Sequence, residues 1–136
     1  MIEIGAVGEA SLVVTDRDTA SAISISEQDR FPEVFATSRM IALMEVAGAR
    51  AMAKLLSSGQ LSVGVVVNVR HFAATPKNTK VSATATYLGM EGKFYKFRVE
   101  AFDPAGKVGE GEHLRAIIDT ERLLQGAALR LDREDS

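Results

Sequence analysis

Residues 38–56, "SRMIALMEVAGARAMAKLL", restrict the fold of this chain more than any other stretch. They are rich in Ala, Met and Leu, contain no Pro, and have only Gly48 as a weak point. That composition predicts a helix of roughly 27 Å. Polar groups along it are sparse: Arg39, Glu45, Arg50 and Lys54. A helix lying on a protein surface shows a wide charged face, and this one does not, so it must be covered on most sides. Thr37 and Ser38 are its N-cap candidates, because a hydroxyl there can accept from an unpaired helical N–H. Phe31-Pro32 begins the turn before it, and "SSGQ", residues 57–60, offers a glycine to end it.

The rest of the chain supplies the cover. "LSVGVVVNVRHFAAT" (61–75) is valine-rich, and "TKVSATATYL" (79–88) alternates Val81, Ala83, Ala85 and Tyr87 with Ser and Thr. "KFYKFRVEAFD" (93–103) alternates Tyr95, Phe97, Val99 and Ala101 with charged residues, and "KVGEGEHLRAIID" (107–119) follows the turn "DPAG". Period-2 patterns joined by "LGMEGK" and "DPAG" predict hairpins and an antiparallel meander. Upstream, residues 10–15 read as a short strand with Leu12 and Val14 on one face. Residues 16–30 are polar and weakly patterned, a connecting loop or a ragged strand. The expected architecture is a two-layer α+β domain over residues 1–136, with the sheet curling around the helix. The tail from about residue 125 is expected to hold a turn of helix and then fray.

Totals narrow the function. The 136 residues are 25% charged and 46% hydrophobic with a net charge of -2, so no field draws nucleic acid. No run approaches the roughly 18 apolar residues of a membrane span. The start, "MIEIGAVGEA", lacks the pattern of a signal peptide, and a cytoplasmic home is expected. With no cysteine and two histidines, neither a disulfide framework nor a metal site is expected.

Three titratable or hydroxyl side chains stand out. Glu45 sits among Leu43, Met44, Val46 and Ala47. An ionised carboxylate cannot be buried unpaired, so it either reaches an opening or an interface, or has a dedicated partner. Arg39 and Arg50 share its helix, but their spacing is wrong for intrahelical pairing. His71 alternates with Val65, Val67 and Val69, which places it on the apolar face as a satisfied core residue or as half of an acid–base pair with Glu45. Thr37 is a cap, and the first N–H groups of its helix could also hold an oxyanion. His113 shares a strand face with Arg115, and a solvated or structural role is its default.

"FPEVFATSRMIALMEVAGARAMAKLL", "VGVVVNVRHFAATP" and "VGEGEHLRAIID" together resemble the fluoroacetyl-CoA thioesterase-like branch of the hotdog-fold thioesterases. The likeness runs from about Phe31 to Asp119. It implies a hotdog fold, a long central helix wrapped by a curved antiparallel sheet. It also implies a homodimer, or a tetramer, with the two sheets of a dimer joined edge to edge and acyl-CoA sites at the interface. The branch's catalytic Thr, Glu and His match Thr37, Glu45 and His71. Its site glycine, arginine and pocket aromatic match Gly64, Arg115 and Phe31. "ISEQDR" before Phe31 carries no second aromatic, so the implied activity is that of a broader small-acyl-CoA thioesterase. No cofactor is implied, because CoA is part of the substrate.

On one continuous helix Thr37 and Glu45 are about 12 Å and some 80° apart. Either Thr37 lies in a turn that folds back, or the two meet across a dimer two-fold. Glu45 would serve as general base or as direct nucleophile, with the oxyanion held by the helix N-terminus or the Gly64 backbone. Arg39, Arg70, Lys77 and Lys80 are candidates for the CoA phosphates. The rival readings are a hotdog acyl-thioester hydratase or dehydratase, whose Asp-x4-His spacing is absent, and a non-catalytic acyl-CoA-binding dimer.

Overall fold

The computed structural model describes residues 1–135. Strand β1 (Val7–Val13) leads through 3-10 turns at Asp16–Asp18 and Ala20–Ile23 to helix α1 (Thr37–Met52), which tightens into a 3-10 turn at Ala53–Leu55. Strands β2 (Gln60–His71), β3 (Lys80–Glu91), β4 (Phe94–Asp103) and β5 (Gly106–Asp119) follow, and helix α2 (Thr120–Asp135) ends the described chain. All strand pairings are antiparallel, and α1 packs against all five strands. The expected α+β architecture, one long helix against a curled sheet, is the one observed.

Period-2 patterning worked best where one face is fully covered. Val81, Ala83 and Ala85 of β3 and Phe97, Val99 and Ala101 of β4 are completely buried against Met40, Met44 and Ala47 of α1. Each large apolar side chain so buried contributes roughly 1.5–3 kcal/mol. Gly8 lets β1 approach the helix backbone: a Cβ there would overlap the Ala47 carbonyl and lie 2.6 Å from the Ala51 amide nitrogen.

Several expectations need correction. The sheet order is β1-β3-β4-β5-β2, so only β3, β4 and β5 form a meander, while β2 crosses over to become an edge. Residues 16–23 are 3-10 turns rather than loop or strand. The Asp18 carboxylate accepts from the Thr15 amide (2.9 Å) and hydroxyl (2.8 Å), which bends the backbone locally. The N-cap of α1 is Ala36, with no side-chain cap bond, so neither Thr37 nor Ser38 caps it. Gly59, with φ +83°, turns the chain into β2 well after α1 has ended. The tail is a continuous helix through Asp135 rather than one turn and a frayed end.

The largest correction concerns cover. Helix α1 buries Met40, Leu43, Met44, Ala47, Gly48 and Met52, which lie on one face. The opposite face, Ile41, Ala42, Glu45, Val46 and Ala49, is only half-buried or exposed. The sheet of one chain therefore covers one side of an apolar helix. The neighbouring β2 edge is open too: Val65, Val66 and Val67 are each more than 40% exposed. A bulge between Gly64 and Val66 shifts the register there, so Val65 leaves the expected face while Val67, Val69 and His71 keep their alternation.

Candidate active site

The first half of the site lies at the N-terminus of α1. The loop before it is pinned on both sides: the Phe35 amide donates to the Thr75 carbonyl (2.8 Å) and the Ala36 amide to the Asp18 carbonyl (2.9 Å). Because Ala36 takes the cap position, the Thr37 hydroxyl is free for another partner. That partner is His71 at the end of β2, with Oγ1 2.8 Å from Nδ1. The Phe35 ring meets the imidazole edge-on at 6.1 Å between centroids and fixes its tilt. His71 Nε2 is buried and has no hydrogen-bond partner among the described residues. Burial pushes the His71 pKa below the ordinary histidine value, with a smaller opposing contribution from the Ala73 backbone.

The second half lies two turns further along α1. Glu45 Oε1 accepts from Arg115 Nη1 at 3.2 Å, and His113 Nε2 stands 4.0 Å from the same oxygen. Arg115 is 5% exposed and bonded through all three guanidinium nitrogens: Nε also donates to the Ser62 hydroxyl (3.1 Å) and Nη2 to the Ser62 carbonyl (2.9 Å). Burial pulls its pKa down, and Glu45 offsets part of that. Glycines make the room. A Cβ on Gly48 would lie 3.1 Å from Arg115 Cδ, and one on Gly64 would overlap Glu45 Oε1. The Glu45 side chain is nevertheless 41% exposed, so its ion pair does not seal it in.

These two halves do not meet within one chain. Thr37 lies on α1 itself, with no fold-back turn, so about 12 Å of helix rise separates it from Glu45. Two grooves of the isolated chain, ≈ 400 Å³ around Arg70 and Arg98 and ≈ 750 Å³ around Ile4 and Tyr95, include none of Thr37, Glu45 and His71.

A family model described as fluoroacetyl-CoA-specific thioesterase, FlK, matches residues 14–121. The chain belongs to the FlK family. A fluoroacetyl-CoA thioesterase of Streptantibioticus cattleyicolor is 46% identical over 92 residues, which cover 68% of this chain and 66% of that relative, just under two thirds of its length. A mutant of FlK solved with fluoroacetate and CoA superposes with a TM-score of 0.84 at 37% identity, covering 90% of this chain and 99% of that one. A Thermus thermophilus protein described as a thioesterase superfamily member superposes at 0.85 with 27% identity, covering 98% and 96%. The FlK-family fold seen here is the hotdog-like one.

Within this FlK-family chain, the residues expected at the site divide cleanly. Thr37 pairs with His71; Gly64 and Arg115 gather around Glu45. Phe31 is 46% exposed on the loop before α1. Neither helical arginine takes Glu45: Arg39 pairs with Asp18 at 3.0 Å, and Arg50 donates to the Glu9 carbonyl at 3.0 Å. Of the CoA-phosphate candidates, Lys77 is held by Asp16 and Glu33, and Lys80 begins β3, across the sheet from β2. Arg70, next to His71 in β2 but on the opposite face of the strand, is paired loosely with Glu110 at 3.5 Å, its side chain 76% exposed and its guanidinium 5.9 Å from the Phe72 ring. Ser62 was missed, and His113, given a solvated or structural role by default, is buried beside Glu45. The sequence signal for His113 was its i,i+2 relation to Arg115, which puts both on whichever face of β5 Arg115 uses.

Proposed function

We propose that the chain hydrolyses small acyl-CoA thioesters to the free acid and CoA, at sites shared between two copies of the chain. One observation carries this reading: the Thr37–His71 pair and Glu45 are separated within one chain, yet both border the uncovered side formed by β2 and the open face of α1. A second copy on that side would cover exposed valines and bring its Glu45 toward the Thr37–His71 pair of the first copy. An isologous contact would make two such sites.

In this mechanism Glu45 keeps one oxygen on Arg115 and uses the other as general base on water. The water oxygen attacks the acyl carbon, and the carbonyl oxygen, now negative, lies against the uncapped N–H groups at the start of α1. The C–S bond then breaks, its electron pair leaving with sulfur as CoA thiolate, which is stable near neutral pH. His71, neutral and anchored by Thr37, takes the water's proton on from Glu45 and passes it to the departing thiolate, which leaves as the CoA thiol. Arg70 meets the CoA phosphates.

A panel of short acyl-CoAs with a thiol-reactive dye tests the reading directly. Release of CoA thiol, abolished in Glu45→Gln, is expected. Inertness of the wild type across the panel would favour a binding role, and hydration of enoyl-CoA without thiol release would favour a hydratase. Single turnover in ¹⁸O-water settles the role of Glu45: label is expected in the product acid, and label in the Glu45 side chain would make it the nucleophile.

A further inference from the structure

His113 is the most buried titratable side chain beside Glu45, at 1% exposure, and nothing in the mechanism above uses it. Its ring is fixed at both nitrogens. Nδ1 lies 2.8 Å from the Val66 carbonyl, which can only accept, so Nδ1 carries the hydrogen. Nε2 lies 3.0 Å from Arg115 Nη1, which can only donate, so Nε2 presents its lone pair. Both contacts demand the neutral Nδ1–H tautomer. Burial, the largest influence, holds the ring neutral; the Val66 bond and Glu45 work against that, and Arg115 adds to it.

Nη1 of Arg115 has two hydrogens. One goes to Glu45 Oε1 and the other to His113 Nε2. Nε and one Nη2 hydrogen go to Ser62. Arginine tends to grip a carboxylate through two parallel bonds, which would engage both oxygens. Here the Arg115–Glu45 contact is a single bond from Nη1. We propose that His113 is a positioning residue: by accepting the second Nη1 hydrogen it holds the Arg115 guanidinium, whose Nε and Nη2 are turned to Ser62, in the orientation that presents a single Nη1 hydrogen to one oxygen of Glu45 and leaves the other oxygen free for the reaction. The carbonyl that fixes His113 belongs to Val66, at the β2 bulge, so the bulge in turn sets the ring.

The inference rests on the thioesterase reading, and two variants separate it from a merely structural role. His113→Leu removes the Nε2 acceptor and leaves a buried donor unpaired. Its kcat is expected to fall about tenfold or more with KM little changed. His113→Gln can place an amide oxygen near the Nε2 position and is expected to recover most of that loss. Full kcat in His113→Leu, or equal impairment in His113→Gln, would overturn the proposal. Should His113→Leu fail to fold, His113→Asn keeps the Val66 bond without the Arg115 bond, and full activity there would overturn it as well. A wild type that releases no thiol defeats the thioesterase reading instead. Nitrogen-15 NMR of the imidazole still tests the geometry in that case: the Nδ1–H neutral form is expected near neutral pH, and the Nε2–H form would refute it.

Discussion

At the scale of the residue, the useful signal in the sequence was chemical incongruity. Glu45 among apolar neighbours announced itself, and so did His71 on a valine-rich strand. Their partners did not, because pairing depends on strand order. His113 and Arg115 reach Glu45 only because β2 and β5 are neighbours in a register that sets Arg115 against Gly64. Glu45→Gln keeps the shape and loses the base, so kcat should fall by about 100-fold or more in the thiol-release assay. Gly64→Ala should also lose activity, since its methyl would displace the Glu45 carboxylate; the check is activity at unchanged thermal stability. The proposed relay uses a neutral His71, and burial holds its pKa below the ordinary 6.5. The acid limb of the kcat profile should therefore fall below pH 6.5, and a limb above it would contradict the assignment.

At the scale of the element, strands with one covered face were legible nearly to the residue, and β2 was not. Its valines alternate with nothing polar over residues 65–67, and a bulge resets the faces just before them. The start of α1 was misread for a related reason. Thr37 has the chemistry of a cap, but Asp18 and Thr75 hold the preceding backbone so that Ala36 takes that position. Asp18 is the linchpin of this corner. Burial raises its pKa, but the Thr15 bonds and Arg39 outweigh that and leave it below the ordinary carboxylate value. A group whose pKa is depressed by folding adds stability above its unfolded pKa and loses it as pH falls through the folded one. Acid unfolding of the wild type should thus include a contribution below about pH 3.9 that Asp18→Asn lacks. The same variant should cost roughly 1–3 kcal/mol at neutral pH, read by denaturant titration.

At the scale of the whole molecule, the central question is whether one copy suffices. Mixing Glu45→Gln with His71→Ala chains, each inactive alone, answers it. Shared sites predict that exchange restores about a quarter of wild-type activity, since half of the mixed dimers are heterodimers and each has one intact site. No recovery after verified exchange would place each site within a single chain. Sedimentation should show a dimer or a multiple of one. The sequence carried this level indirectly: an apolar helix with no charged face needs cover, and one sheet supplies only half of it.

The span of α1 between Thr37 and Glu45 then has a kinetic corollary. An enzyme whose base and acid–base relay reside on different molecules has turnover per chain that depends on how many chains are paired. On dilution through the dissociation constant, specific activity should decline and return on reconcentration, making protein abundance itself a dial on the reaction.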